Sequence, residues 1–79
     1  MTVHVVLYAT LVRHVAGAAS GMPLPLEVPA GTRLADLYGL LGIPGAEVKQ
    51  AFVHGRQKGP DYLVQEGDRI ALFPPVAGG

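Results

Sequence analysis

The chemistry that this chain could perform is concentrated in its last seven residues, which read Phe73-Pro74-Pro75-Val76-Ala77-Gly78-Gly79. The run ends on a glycine carboxylate, which is unreactive at neutral pH until an ATP-dependent enzyme converts it into an acyl-adenylate. Glycine suits insertion into such an enzyme, because a backbone without a Cβ atom can pass a narrow channel. Pro74 and Pro75 fix φ and lack an N–H donor, so they end strand pairing and favour an extended exit. We therefore predict a flexible tail at about residues 75–79.

The alternative for this tail is a frayed terminus, since glycines collect at the ends of ordinary domains. Few other residues suggest chemistry. His4, His14 and His54 have no metal-ligand spacing, and the chain has no cysteine that could complete a zinc site. The acidic residues form no paired-carboxylate motif, and the glycines lack the Lys-Ser/Thr signature of a phosphate loop. We therefore expect no metal site and no active site of the usual kind.

The composition is typical of one small globular domain, which we place at residues 1–79. Six basic and six acidic residues give a formal net charge of zero. That balance argues against nucleic acid as a partner, because phosphate binding needs a basic patch. The N-terminus lacks a signal-peptide pattern, and no apolar run reaches membrane-spanning length. We therefore expect no membrane partner and a cytoplasmic location.

Hydrophobic periodicity predicts four strands and one main helix. The strands are expected at residues 3–11, 24–28, 48–54 and 69–73. The helix is expected at residues 32–41, with Thr32 as its N-cap and Gly42 as the left-handed residue that ends it. Prolines in and around the second strand place it at a sheet edge. One helix can cover one face of a sheet, so the predicted fold class is α+β with two layers.

Alternation along the first strand separates two faces. Its predicted core face carries Val3, Val5, Leu7, Ala9 and Leu11, and its other face carries His4, Val6, Tyr8 and Thr10. This second face is less polar than a solvated face, which either burial on both sides or a partner surface would explain. The last strand alternates likewise, with Ile70 and Leu72 on one face and Ala71 and Phe73 on the other. The facing of the third strand stays open, because either Ala51 and Val53 or Phe52 could point inward.

A resemblance to a known family runs over nearly the whole chain, and its specific part is the C-terminal motif. The run Glu66-Gly67-Asp68-Arg69-Ile70-Ala71-Leu72-Phe73-Pro74-Pro75-Val76-Ala77-Gly78-Gly79, with the order of elements before it, resembles the ubiquitin-like sulfur carriers. The small subunit of molybdopterin synthase is the most similar member, and the sulfur carrier of thiamine thiazole synthesis is also similar. The turn Val53-His54-Gly55-Arg56 fits too, with His54 at a position where Asn is common. The resemblance implies a β-grasp fold, in which one main helix packs on one face of a mixed sheet and the last strand lies beside the first.

The resemblance also implies a chemical cycle for the terminal glycine. An adenylating enzyme of the ubiquitin-activating type would use ATP and magnesium to adenylate Gly79, and a sulfur donor would convert the adenylate into a thiocarboxylate. The chain would hold no permanent cofactor and would not be an enzyme by itself. It would be the sulfur-carrying small subunit of a molybdopterin synthase-type transferase. Its partners would be the activating enzyme and the large subunit of molybdopterin synthase, or a thiazole synthase.

The same resemblance assigns roles along the tail. Gly79 would be the reactive residue, and the residues expected to contact partners are Gly78, Ala77, Val76, Pro75, Phe73 and Tyr8. Arg69 could meet acidic groups on an activating enzyme, although a strand-edge charge is more often only solvated. The alternatives are a carrier for thiamine thiazole or tungsten cofactor synthesis, a ubiquitin-like protein modifier, and a β-grasp interaction domain with an idle terminus.

Overall fold

In a computed structural model that describes residues 1–75, the chain folds into a mixed five-stranded sheet with one α-helix on one of its faces. The strands are β1 (Thr2–Leu7), β2 (Pro23–Glu27), β3 (Gln50–Val53), β4 (Arg56–Gln57) and β5 (Arg69–Phe73). The helix α1 is Leu34–Leu41, and two short 3-10 helices span Ala9–His14 and Gly45–Glu47. The predicted tail residues Val76, Ala77, Gly78 and Gly79 lie outside the described residues.

The sheet has the strand order β2-β1-β5-β3-β4. β1 pairs antiparallel with β2 at one edge and parallel with β5 in the centre. β5 in turn pairs antiparallel with β3. The edge position of the proline-containing strand and the pairing of the first strand with the last are therefore confirmed.

The inner face of this sheet packs against α1 and forms the core. Val3, Val5, Leu7, Ile70 and Leu72 are fully buried there, and Leu34 and Leu37 of the helix are fully buried against them. Tyr38 and Leu41 of the same helix also pack on this cluster. The α+β two-layer prediction is correct. The helix α1 does not cover the other face of the sheet.

The first strand is shorter than predicted, which corrects the facing of its last residues. Strand geometry stops at Leu7, and Ala9 takes a left-handed φ of 52° where the chain enters the first 3-10 helix. Leu11 is nevertheless fully buried, because a helical turn returns it to the core. An apolar residue four positions after Leu7 fits both a continuing strand and such a turn, so the alternation misled here.

The N-cap of the helix lies one residue later than predicted. The N-cap is Arg33, whose backbone N–H donates to Asp36 Oδ2 at 3.0 Å, whereas Thr32 is buried and its hydroxyl donates to the Pro29 carbonyl at 2.7 Å. Thr32 as N-cap was therefore wrong, because its hydroxyl closes the preceding turn instead. Gly42 has a φ of 73° and ends the helix as predicted.

The third strand begins at Gln50, since the 3-10 helix Gly45–Glu47 and its cap occupy the residues before it. Ala51 and Val53 are buried in the core, which places Phe52 on the opposite face. His54 and Gly55 then have φ values of 51° and 81°, and this two-residue turn leads into β4. Two left-handed residues in a row match the sheet twist, which explains why a His can stand where Asn is favoured.

Candidate functional site: the outer sheet face and the neck

The side of the sheet turned away from α1 carries a set of apolar residues that we call the outer face. Its members are Val6, Tyr8, Phe52, Ala71 and Phe73. The register brings them together, because Val6 pairs with Ala71 and Ala71 pairs with Phe52. Val6 is only 1% exposed although it lies outside the core cluster, while the other four are half-buried. Burial on both sides therefore describes Val6, and partial exposure describes its neighbours.

Phe73 lies at the centre of an aromatic cluster on this face. Its ring stacks on Tyr8 with centroids 4.5 Å apart and planes within 4°, and it meets Phe52 edge-on at 5.6 Å. The Tyr8 backbone N–H donates to the Leu72 carbonyl at 3.2 Å, which fixes Tyr8 beside the end of β5. The structure places Phe73 on the outer face, at the base of the neck.

The neck is the point at which the chain leaves the sheet. The Phe73 carbonyl accepts the last bond of the ladder, from Lys49 N–H at 2.8 Å, and Pro74 and Pro75 follow without donors. A hollow of about 410 Å³ lies here, lined by Tyr8, Ala9, Thr10, Gln50, Phe73, Pro74 and Pro75. The half-buried Pro74 and exposed Pro75 therefore continue the outer face towards the tail.

A second hollow of about 320 Å³ adjoins the aromatic cluster on the side away from the neck. Its lining residues are Phe52, His54, Gly55, Arg69, Ala71 and Phe73. Its walls are mainly aromatic and aliphatic, and Arg69 adds one guanidinium, so the hollow suits a partner's side chain.

A buried carboxylate anchors the start of β5. Asp68 is 5% exposed and accepts hydrogen bonds from the Tyr62 hydroxyl and the Gln65 backbone N–H, both at 2.8 Å. His54 Nε2 lies 3.2 Å from its other oxygen. Burial, and next the bond to Asp68, raise the pKa of Tyr62, so Tyr62 stays a neutral donor. Gly67, just before Asp68, has a left-handed φ of 80°. The sequence did not indicate this cluster of hydrogen bonds.

No part of residues 1–75 gathers three or more metal-ligating side chains, and no helix among them is long and apolar enough to cross a membrane. Of the predicted site, the structure brings Tyr8, Phe73 and Pro75 together at the neck. Gly79, Gly78, Ala77 and Val76 lie outside the described residues, so their roles stay predictions. Phe52 was not predicted to belong to the site.

The fold and the uncovered outer face together define a ubiquitin-like β-grasp protein. Residues 6–79 match the family model described as the ThiS family, and the chain belongs to that family. The chain thus has the fold of the ubiquitin-like sulfur carriers, as its resemblance implied. A search of curated proteins finds no significant match.

Solved structures agree on the fold. A putative molybdopterin converting factor, subunit 1, from Pyrococcus furiosus is 26% identical, with a TM-score of 0.72 over 96% of this chain and 99% of that chain. SAMP1 from Haloferax volcanii is 23% identical, with a TM-score of 0.71 over the whole of both chains. A ubiquitin-like protein from Caldiarchaeum subterraneum is 23% identical, with a TM-score of 0.54 over 99% of this chain and 100% of that chain. The last two likenesses concern the fold alone.

Proposed function

We propose that this protein is a sulfur carrier whose Gly79 carboxylate is adenylated and converted to a thiocarboxylate, with molybdopterin synthesis as the receiving pathway. The observation that carries the proposal is the placement of the neck. Pro74 and Pro75 follow directly on an aromatic cluster that is anchored in the sheet. The family match extends through residue 79, and the Pyrococcus furiosus relative is named for molybdopterin conversion.

The chemistry needs little from the carrier. A Gly79 carboxylate oxygen attacks the α-phosphorus of ATP, and pyrophosphate leaves, giving an acyl-adenylate. A hydrosulfide-level donor then attacks the acyl carbon: a C–S bond forms, the C–O bond to AMP breaks, AMP leaves with the electron pair and the donor's proton is lost. Both steps occur on the activating enzyme, which supplies ATP and magnesium. The carrier contributes the carboxylate, the tail and a docking surface.

Reach explains why a docking surface at the neck matters. The four residues after Pro75 span at most about 14 Å when fully extended. A partner that works on Gly79 must therefore approach close to the neck. The apolar residues nearest the neck are Tyr8 and Phe73, so they are the proposed contacts together with Pro75.

The test is the intact mass of the protein isolated from its host under non-reducing conditions. We expect a population heavier by the exchange of one oxygen for one sulfur, and this change should map to the C-terminal peptide. Incubation with host extract, ATP and a sulfur donor should increase it, and a Gly79→Val variant should stay unmodified. A single unmodified mass under all these conditions contradicts the proposal.

A protein modifier is the second candidate, because an adenylated Gly79 could also be joined to lysine amines. One neighbour of the same fold is named small archaeal modifier protein 1. Branched peptides that end in Gly-Gly on lysines of other host proteins would favour this candidate. A metabolite screen in a strain lacking the protein separates the molybdenum and thiamine branches.

A further inference from the structure

Three basic side chains cross the outer side of the sheet in one row, at the end away from the neck. His4 of β1 pairs with Arg69 of β5 in the strand register. His54 continues the row, since its backbone N–H donates to the Arg69 carbonyl at 3.2 Å. All three side chains are exposed. We call them the basic row.

The nearby carboxylates make their hydrogen bonds to groups other than Arg69. Asp68 is buried and its oxygens face Tyr62, Gln65 and His54. The Glu66 carboxylate accepts the Thr2 backbone N–H at 3.2 Å, and the Glu27 carboxylate contacts the Thr2 hydroxyl.

Arg69 itself takes part in no salt bridge within residues 1–75. The Arg69 guanidinium therefore offers a partner on the outer face a positive charge that has no ion-pair partner among residues 1–75. In a chain with a formal net charge of zero, this charge is a local feature and not a consequence of composition.

The basic row borders the hollow of about 320 Å³ that Phe52, Ala71 and Phe73 wall with apolar surface. Arg69 stands on its rim, so apolar contact and positive charge are adjacent. A guanidinium binds a carboxylate through two parallel hydrogen bonds, which gives direction as well as attraction. The combination fits a protein segment with an apolar side chain next to an acidic one.

We infer that the hollow and Arg69 form a second docking point for the proteins that handle the tail, filled by an apolar side chain with a carboxylate beside it. The inference rests on the proposed function and adds the chemistry of the partner's surface. Phe73 lies four positions after Arg69 in β5, which is about 13 Å along a strand. The partner therefore carries its acidic group about 13 Å from the place where it receives the neck.

The separation between the neck and Arg69 also explains what a second docking point would contribute. A partner held only at the neck could rotate about it, whereas two contacts on one strand fix the orientation of the sheet. The carboxylate–Arg69 contact lies at the margin of the interface, where charges affect association rate and salt dependence more than total affinity.

The experiment measures ATP–pyrophosphate exchange by the host's own adenylating enzyme, with the carrier as the varied substrate. At low ionic strength we expect Arg69→Gln to raise the KM for the carrier about threefold and Arg69→Glu about tenfold, with kcat unchanged. Arg69→Lys should raise the KM less than Arg69→Gln does, because it keeps the charge but loses the two parallel hydrogen bonds. Raising the salt to about 0.5 M should reduce these differences, because exposed charges are then screened.

Arg56→Glu is the matched control. Arg56 is an exposed strand arginine that pairs with the inward-facing Val53, so its charge lies off the outer face. It should leave KM near the wild-type value although the change in net charge is identical. Equal KM values for Arg69→Glu and Arg56→Glu would overturn the inference and leave the proposed function intact.

Two further outcomes would also decide against it. No exchange with the wild type overturns the proposed function and this inference with it. A wild-type dimer in sedimentation that Arg69→Glu dissociates, with KM unchanged, would show that the surface binds a second copy of this chain instead.

Discussion

The two faces of the central strand β5 differ in what they contact. Ile70 and Leu72 are fully buried beneath α1, whereas Ala71 and Phe73 keep part of their surface exposed on the outer face. One five-residue strand therefore stabilises the fold with its even-numbered residues and offers a surface with its odd-numbered ones. Substitutions at adjacent positions of β5 should therefore separate effects on stability from effects on partner binding.

The largest expected effect lies on the inner face. Leu72→Ala removes a fully buried side chain from the core cluster, so it should lower the free energy of unfolding by about 2–5 kcal/mol. Urea denaturation followed by circular dichroism measures this. Leu40→Ala is the control, because Leu40 is 57% exposed and the same chemical change should cost far less there. Similar losses in the two variants would show that the inner face is not the main source of stability.

A second, smaller loss is expected at the buried end of β5. Asp68→Asn removes the carboxylate charge that accepts hydrogen bonds from the Tyr62 hydroxyl and the Gln65 N–H. It should therefore lower the free energy of unfolding by about 1–3 kcal/mol. Asp61→Asn, at an exposed position, should change it little. Equal values for the two variants would mean that Asp68 contributes no more than a solvated carboxylate.

The outer face should show the reverse balance. Phe73→Ala loses a stack with Tyr8 and an edge contact with Phe52, which is expected to cost about 1–2 kcal/mol of stability. Its effect on a partner should be larger, with the KM for the carrier in adenylation raised about tenfold or more, as for an aromatic interface anchor. A Phe73→Ala protein that unfolds as readily as Leu72→Ala, yet is adenylated with unchanged KM, would remove the distinction between the faces.

Much of this comparison could be read from the sequence. The bounds Arg69–Phe73 were predicted correctly, because the Gly67-Asp68 turn starts the strand and Pro74 stops its pairing. The main helix was also predicted, since its apolar residues recur at the spacing that lines one face of a helix. The proximity of β1 and β5, which creates the outer face, came from the resemblance to a family and not from spacing.

Other features depend on tertiary contacts that spacing does not specify. Phe52 pairs with Gln57, and Val53 pairs with Arg56. Since both apolar residues have a polar cross-strand partner, the turn sequence does not indicate which of them faces the core. Thr32 has the composition of an N-cap, but its hydroxyl bonds the turn before it. Asp68 collects donors from three separate residues, which no local pattern encodes.

The smallest expected effect lies on neither face. Glu47 Oε1 lies 2.9 Å from His14 Nε2 and 3.3 Å from Arg13, and it joins the two 3-10 helices. The pKa of Glu47 lies below its ordinary 4.5, mainly because of the hydrogen bond from His14. Burial opposes this shift, and the charges of His14 and Arg13 add to it. The folded state therefore binds this proton more weakly than the unfolded state does. The stabilisation is complete above pH 4.5 and disappears as the pH falls through the lowered value.

Glu47→Gln tests this contact. The variant should be slightly less stable than the wild type at pH 6, and the gap should close as acid titrates Glu47 in the wild type. Urea midpoints measured from pH 6 down to pH 3 check the sign, with Asp61→Asn as a control that lacks the His14 contact. The KM for adenylation should not change, since Glu47 lines neither of the two hollows on the outer face. A gap that widens in acid would show that the contact does not favour the ionised carboxylate, and a raised KM would extend the docking surface beyond the outer face.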